Sequence, residues 1–223
     1  KPLAAYAAAL NEGGMSLATT FEDEPFTYDN GEPLYNADRQ YHGTVTMREA
    51  IVHSYNIPAV KCMIEITPEL GIEYLEKFGF TSLITEPTEI NGSIYTDVNA
   101  ATAIAYLLTN VLEDVITEGT GTRVQFDGMH LAGKTGTTDD YRDLWFCGFS
   151  PYYTCSVWAG YDDNSVLPQG TYRTYQQTLW RNIMERIHAD LPDTEFKMPS
   201  TVEEASICTS TGLLATSSCN AVT

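Results

Sequence analysis

The stretch Ala132-Gly133-Lys134-Thr135-Gly136-Thr137-Thr138 sets an ammonium and a run of hydroxyls around a glycine. On an edge strand with ammonium and hydroxyls facing one side, these groups could hold a terminal carboxylate. Gly136, with no side chain, would let a ligand backbone approach closely. Such an edge can take up an extended peptide by strand addition. A second pattern, Ser54-Tyr55-Asn56, offers a hydroxyl for moving a proton and an amide for gripping a carbonyl. Taken alone, the same two residues read more simply as caps on the ends of two helices. A third lies at Lys1-Pro2, which opens a helix. In an S-x-x-K pattern, serine and lysine share one helical face, and the amine can take the serine proton if its own pKa is lowered. Lys1 would be that lysine, and the serine would lie three residues before it, outside this sequence.

These residues need elements to hold them. Residues 1–10 read as an Ala-rich helix closed by Asn11-Glu12-Gly13-Gly14. Residues 15–43 read as loop. Thr46-Met47-Arg48-Glu49 is a capping box that starts a helix. Pro58 disfavours helical geometry at Ile57, which places Ser54 to Asn56 at a helix end or in a connection, with a second helix from about Pro58 to Ile66. A third starts with Thr67 as cap and Pro68 at its first position. Residues 99–117 carry an apolar stripe (Ala101, Ile104, Ala105, Leu108, Val111, Leu112, Val115) and predict a long helix. From there the pattern is strand-like: about 130–135, then 144–149 and 154–161 as a hairpin. A helix over 174–188 follows, with an apolar face through Leu179, Trp180, Ile183 and Ile187. Residues 190–223 read as an irregular C-terminal extension. Helices, then an antiparallel sheet, then a closing helix make an α+β fold, with no internal repeat.

Composition narrows the function classes. A chain of 223 residues with 43% hydrophobic and 11% aromatic residues can bury a core of its own. A net charge of −18 repels nucleic-acid phosphates and disfavours anionic lipid. No window is apolar enough to span a membrane. The abrupt start at Lys1 reads as an internal fragment, so the lack of a targeting segment says nothing about location. The four histidines (42, 53, 130, 188) lack ligand spacing, and no metal or cofactor is called for. Asp139-Asp140 and Asp162-Asp163 read as solvated turns. Trp145, Phe146 and Trp158 read as sheet core. A disulfide between Cys208 and Cys219 would close a short loop and suit an oxidising compartment. If Phe149 pairs with Thr154, Cys147 and Cys155 fall on opposite sheet faces and do not bond.

The order of the three motifs matches the serine acyl-transferases that recognise penicillin. The wider sequence resembles class A penicillin-binding proteins, the bifunctional cell-wall synthases. KPLAAYAAAL is similar to the stretch that opens with their catalytic lysine, and GTVTMREAIVHSYNIPAVK to their S-x-N region. GTGTRV with LAGKTGTTDDYRDLWFCGFSPYYTCSVWAGYDD is similar to their K-T-G strand and the hairpin after it. The resemblance runs from Lys1 to about Cys219. It implies a transpeptidase domain lacking its N-terminal strands and nucleophile segment, in which Lys1 is the general base. Ser54 would relay a proton to the leaving amine, and Asn56 would bind the donor amide. Lys134 would keep the site electropositive, Thr135 and Thr137 would bind the terminal carboxylate, and Gly136 and Thr138 would complete the binding strand. The Thr137 N–H would form half of an oxyanion hole, a donor worth about 3 kcal/mol in other enzymes. Implied partners are D-Ala-D-Ala stem peptides, β-lactams and a preceding glycosyltransferase domain. The catalytic domain would be extracytoplasmic, with any membrane anchor outside this chain. A catalytically silent binding module, a carboxypeptidase or a β-lactamase are the alternatives. The span between Asn56 and Lys134 is short for this family and reads as though segments were omitted after Pro87 and near Val98.

Overall fold

The computed structural model describes residues 1–28, 30–81, 98–217 and 221–222, without the side chains of 98–102, 139, 171–172 and 221–222. These form two compact units, Lys1–Leu108 with Met198–Thr223, and Thr109–Lys197.

In the first unit, helix α1 opens as a π-helical turn, Pro2–Tyr6, and continues as α-helix over Ala7–Asn11. The wide turn is visible in its bonds: the Tyr6 N–H donates to the Lys1 carbonyl at 3.4 Å and the Ala7 N–H to that of Pro2. Ala5, Ala7, Ala8 and Ala9 are buried, and their small side chains let neighbouring helices come close. A Cβ on Gly71 would stand 2.7 Å from the Ala4 carbonyl oxygen, so only glycine permits that approach. The supposed loop 15–43 contains strands. β1 (Thr20–Asp23) pairs antiparallel with β4 (Gly43–Thr46), and β2 (Phe26–Thr27) with β3 (Pro33–Leu34). Only Phe21 and Val45 turn large apolar groups inward there, too few to show as alternation in the sequence.

The expected capping box is present at the start of α2 (Met47–Val52). Thr46 Oγ1 accepts from the Glu49 N–H at 3.2 Å, and Glu49 Oε2 accepts from the Thr46 N–H at 2.7 Å. Helix α3 covers Asn56–Ile66, starting before Pro58 rather than at it. The first-turn N–H groups of a helix have no intrahelical acceptor, so a proline in that turn loses nothing. α4 spans Pro68–Lys77 behind its Thr67 cap. α5 is Val98–Thr117, and its last turns, from Thr109, belong to the second unit.

The second unit is a three-stranded antiparallel sheet with β5 (Ala132–Thr137) at one edge, β6 (Asp143–Phe149) in the centre and β7 (Thr154–Gly160) at the other edge. α6 (Tyr175–Ile187) covers one face. Phe146, Val157, Trp180 and Met184 form the core with Ile116, Val124 and Leu131. Of the expected helix face, Trp180 is buried, whereas Ile183 and Ile187 are exposed; Gln176 and Met184 take the inner positions. Phe146 is core as read, but Trp145 and Trp158 lie exposed, because the pleat sends alternate residues to the open face.

The β6–β7 turn is fastened to α6. Ser150 Oγ accepts from the Tyr152 and Tyr153 N–H groups at 3.0 and 3.1 Å and donates to His188 Nε2 at 2.7 Å. The register pairs Phe149 with Thr154, so Cys147 faces Ser156 and Cys155 faces Gly148, and both thiols are free.

Residues 190–223 are not one irregular extension. Residues through Lys197 stay in the second unit, where Phe196 packs edge-on to Phe149. The segment from Met198 groups with the first unit and pairs β8 (Ile207–Cys208) with β9 (Ala221–Val222). Cys219 and the stretch from Pro87 to Thr96 lie outside the described residues.

Candidate active site

The first unit sets the lysine against the 54–56 turn, where it meets the main chain of Ser54 and Tyr55 and the side chain of Asn56. The Lys1 ammonium donates to the Ser54 carbonyl at 2.7 Å, to the Tyr55 carbonyl at 3.3 Å and to Asn56 Oδ1. Burial lowers its pKa from 10.5 to about 8. An amine in that range is a usable base near neutral pH, which an ordinary lysine is not. The turn exists because Ser54 takes a left-handed conformation, φ 60°, between α2 and α3. This costs a non-glycine residue about 1 kcal/mol or more and aims two successive carbonyls at the same cation.

The Asn56 side chain is held at both ends. Its Oδ1 accepts from Lys1, and its Nδ2 donates to the Tyr35 carbonyl at 2.8 Å. Behind it lies a buried polar network that sequence reading missed. Asn36 Oδ1 accepts the N–H groups of Asn56 at 2.7 Å and Ile57 at 3.3 Å, the first two donors of α3. Asn36 Nδ2 in turn donates to both oxygens of Asp23, at 2.9 and 2.7 Å, and to the Gln40 carbonyl at 3.0 Å. Asp23 is fully buried and also receives the His42 N–H at 3.1 Å and His42 Nδ1 at 2.6 Å. His42 Nε2 lies 3.1 Å from Asp38, and its ring stacks on Tyr55 at 4.1 Å. The available signal was a cluster of Asp, Asn and His in a stretch with no helical period.

In the second unit, Lys134 and Thr135 sit mid-strand on β5. The sequence reading put ammonium and hydroxyls on one side, but the pleat divides them. Lys134 and Gly136 stand opposite Cys147 and Trp145 on the open face, while Thr135 and Thr137 stand opposite Phe146 and Leu144 on the helix-covered face. The long lysine chain bridges the two faces, bringing Nζ within 3.2 Å of Thr135 Oγ1. Thr120, in the GTG turn after α5, holds the Thr135 hydroxyl at 2.9 Å; it was not singled out from sequence. Gly136 has a cross-strand reason as well as the expected one, since a Cβ there would press on Trp145 Cβ at 3.2 Å. Thr137 is exposed at the strand end. The Thr138 hydroxyl is engaged by Asp143, accepting its N–H at 2.7 Å, which makes Thr138 an anchor of the β5–β6 connection.

The penicillin binding protein transpeptidase domain matches residues 1–113, from Lys1 through the 54–56 turn into α5. The chain belongs to that family. Penicillin-binding protein 1A of Clostridium botulinum strain Hall is 31% identical across 97% of this chain, so the resemblance to class A penicillin-binding proteins holds well beyond the family match and includes β5. This chain spans 33% of that relative. The two align over 273 positions, more than the 223 residues here, so the relative carries insertions that this chain lacks. The α+β fold is also that of solved relatives. Penicillin-Binding Protein 1A from Haemophilus influenzae superposes with a TM-score of 0.82 at 21% identity, covering 100% of this chain and 46% of its own. The PonA1 protein from Mycobacterium tuberculosis, solved in complex with penicillin V, gives 0.71 at 18% identity over 89% of this chain and 70% of that one.

Proposed function

We propose that this chain is the larger part of a D,D-transpeptidase domain that cross-links peptidoglycan stem peptides through a serine acyl-enzyme. The single observation that carries the reading is the Lys1 ammonium, seated on the 54–56 acceptors with its pKa lowered to about 8. An amine so placed takes the proton of a serine one helical turn before it, three residues upstream of Lys1. The serine oxygen attacks the carbonyl of the D-Ala-D-Ala bond, and D-alanine leaves after a proton passes to its nitrogen by way of the Ser54 hydroxyl. A neighbouring stem-peptide amine then takes the acyl group. Asn56 binds the donor amide. The β5 residues bind the donor's end, with Thr135 and Thr137 on the carboxylate, Lys134 supplying positive charge and Gly136 admitting the backbone. The Thr137 N–H stabilises the oxyanion. Thr138 acts by fixing the strand end.

β-Lactams acylate the same serine in this reading. The domain belongs to a longer, membrane-anchored synthase with a glycosyltransferase domain before it and works on the extracytoplasmic face; among the described residues, no helix is long and apolar enough to cross a membrane.

The test is labelling of the intact protein by a fluorescent penicillin. Wild type labels covalently, and Lys134→Ala abolishes labelling while remaining folded by circular dichroism. Normal labelling of that variant removes β5 from the site.

A further inference from the structure

Asn56 and Lys1 owe their places to a turn whose first two N–H groups have no partner within α3. Those donors are met by one side-chain oxygen from twenty residues earlier, Asn36 Oδ1. Asn36 could not hold that oxygen in place alone. Its amide nitrogen is fixed by both oxygens of a fully buried carboxylate, Asp23, which in turn is held by the backbone and ring of His42. We infer that Asp23 and Asn36, with His42 closing the network at its rim, are positioning residues for the transpeptidase reaction, setting the 54–56 turn against the Lys1 amine. This rests on the reading of Lys1 as general base.

The geometry favours positioning over a general structural role. The network ends on the turn that supplies all the named Lys1 acceptors: the Tyr55 carbonyl shares a peptide unit with the Asn56 N–H that Asn36 captures, the Ser54 carbonyl lies one residue earlier, and Asn56 is both captured and an acceptor. A second tie runs in parallel, because Tyr35, next to Asn36, accepts from Asn56 Nδ2. A shift of one ångström in this turn moves the base relative to the bond it must serve, and misplacement on that scale costs on the order of 100-fold in rate. The chemical step should therefore suffer more than ligand binding.

The experiment follows acylation of the intact protein by a fluorescent penicillin, separating the rate constant at saturation from the apparent Kd, with thermal melts on every variant. Asn36→Asp sets two carboxylates face to face and should lower the saturating rate at least tenfold, with Kd changed less than threefold. The exchange Asp23→Asn with Asn36→Asp restores one carboxylate facing one amide and keeps an oxygen toward the α3 donors. It should bring the rate back to within threefold of wild type. A folded Asn36→Asp variant acylating within twofold of wild type overturns the inference, as does an exchange that recovers the melting temperature but not the rate. If neither variant folds, His42→Gln at the partly exposed rim decides: a threefold or larger fall in the saturating rate supports the inference, and an unchanged rate overturns it. Failure of the wild type to label is a separate result, and it sinks the transpeptidase reading itself.

Discussion

Replacing Asn56 by aspartate puts a carboxylate where an amide oxygen now accepts from the Lys1 ammonium. With the lysine lowered to about 8 by burial, about a quarter of the molecules carry a neutral amine at pH 7.5; at the ordinary value of 10.5 the fraction is about one in a thousand. Acylation should therefore rise with pH through a midpoint near 8 in the wild type. A contacting anion favours the ammonium and raises its pKa by roughly 1 to 3 units. Even one unit leaves about 3% neutral at pH 7.5, roughly eightfold less base. The assay is the second-order rate of β-lactam acylation of the intact protein from pH 6 to 10.5. Asn56→Asp should move the rising limb to higher pH by at least one unit, so that its deficit shrinks as the medium becomes more alkaline. A limb that stays in place, or moves to lower pH, refutes the view that the Lys1 amine is the group being titrated.

Three further outcomes follow from the second unit. Phe146→Ala empties a position packed edge-on against Trp180 at 5.1 Å in the fully buried core and should destabilise by about 3–5 kcal/mol, read from a denaturant melt. In alkylation followed by mass spectrometry, Cys147 should react before Cys155, because it is exposed while burial pushes the Cys155 thiol up; a bond between the two would contradict the register. His130 should titrate above its usual value because it hydrogen-bonds Glu113 at 3.0 Å. That pair's contribution to stability is present in acid and lost as pH rises through the folded pKa, and Glu113→Gln should bring the NMR midpoint down.

Features with a local physical cause were legible in the sequence. The Thr46–Glu49 box, the Thr67-Pro68 start and the Phe149–Thr154 hairpin register each depend on residues close together in the chain, and all are present. The start of α3 was misread because the bias of a residue before proline away from helical geometry was given full weight at Ile57, whereas Pro58 in a first turn gives up no hydrogen bond and Ile57 stays helical. The Asp23–Asn36 network was invisible for another reason. Its parts lie in segments with no periodicity, and its purpose appears only when β1 and the 35–42 connection close over the start of α3. On β5 the motif itself was plain, but assigning all its polar groups to one side overlooked the pleat, which only the length of Lys134 overcomes.

Two of the acceptors that seat Lys1 are main-chain carbonyls, and no point mutation can delete a carbonyl. Substitutions at 54 and 55 therefore leave the cation's seat in place even where they cost the Ser54 hydroxyl, as long as the left-handed bend at 54 survives. A β-branched residue such as valine or threonine at 54 would strain that bend, whereas asparagine or glycine would tolerate it. Substitutions that tune the proposed acylation should accordingly reshape this corner by tilting the turn from beneath, through residues such as Asn36, more readily than by stripping the lysine of its oxygens.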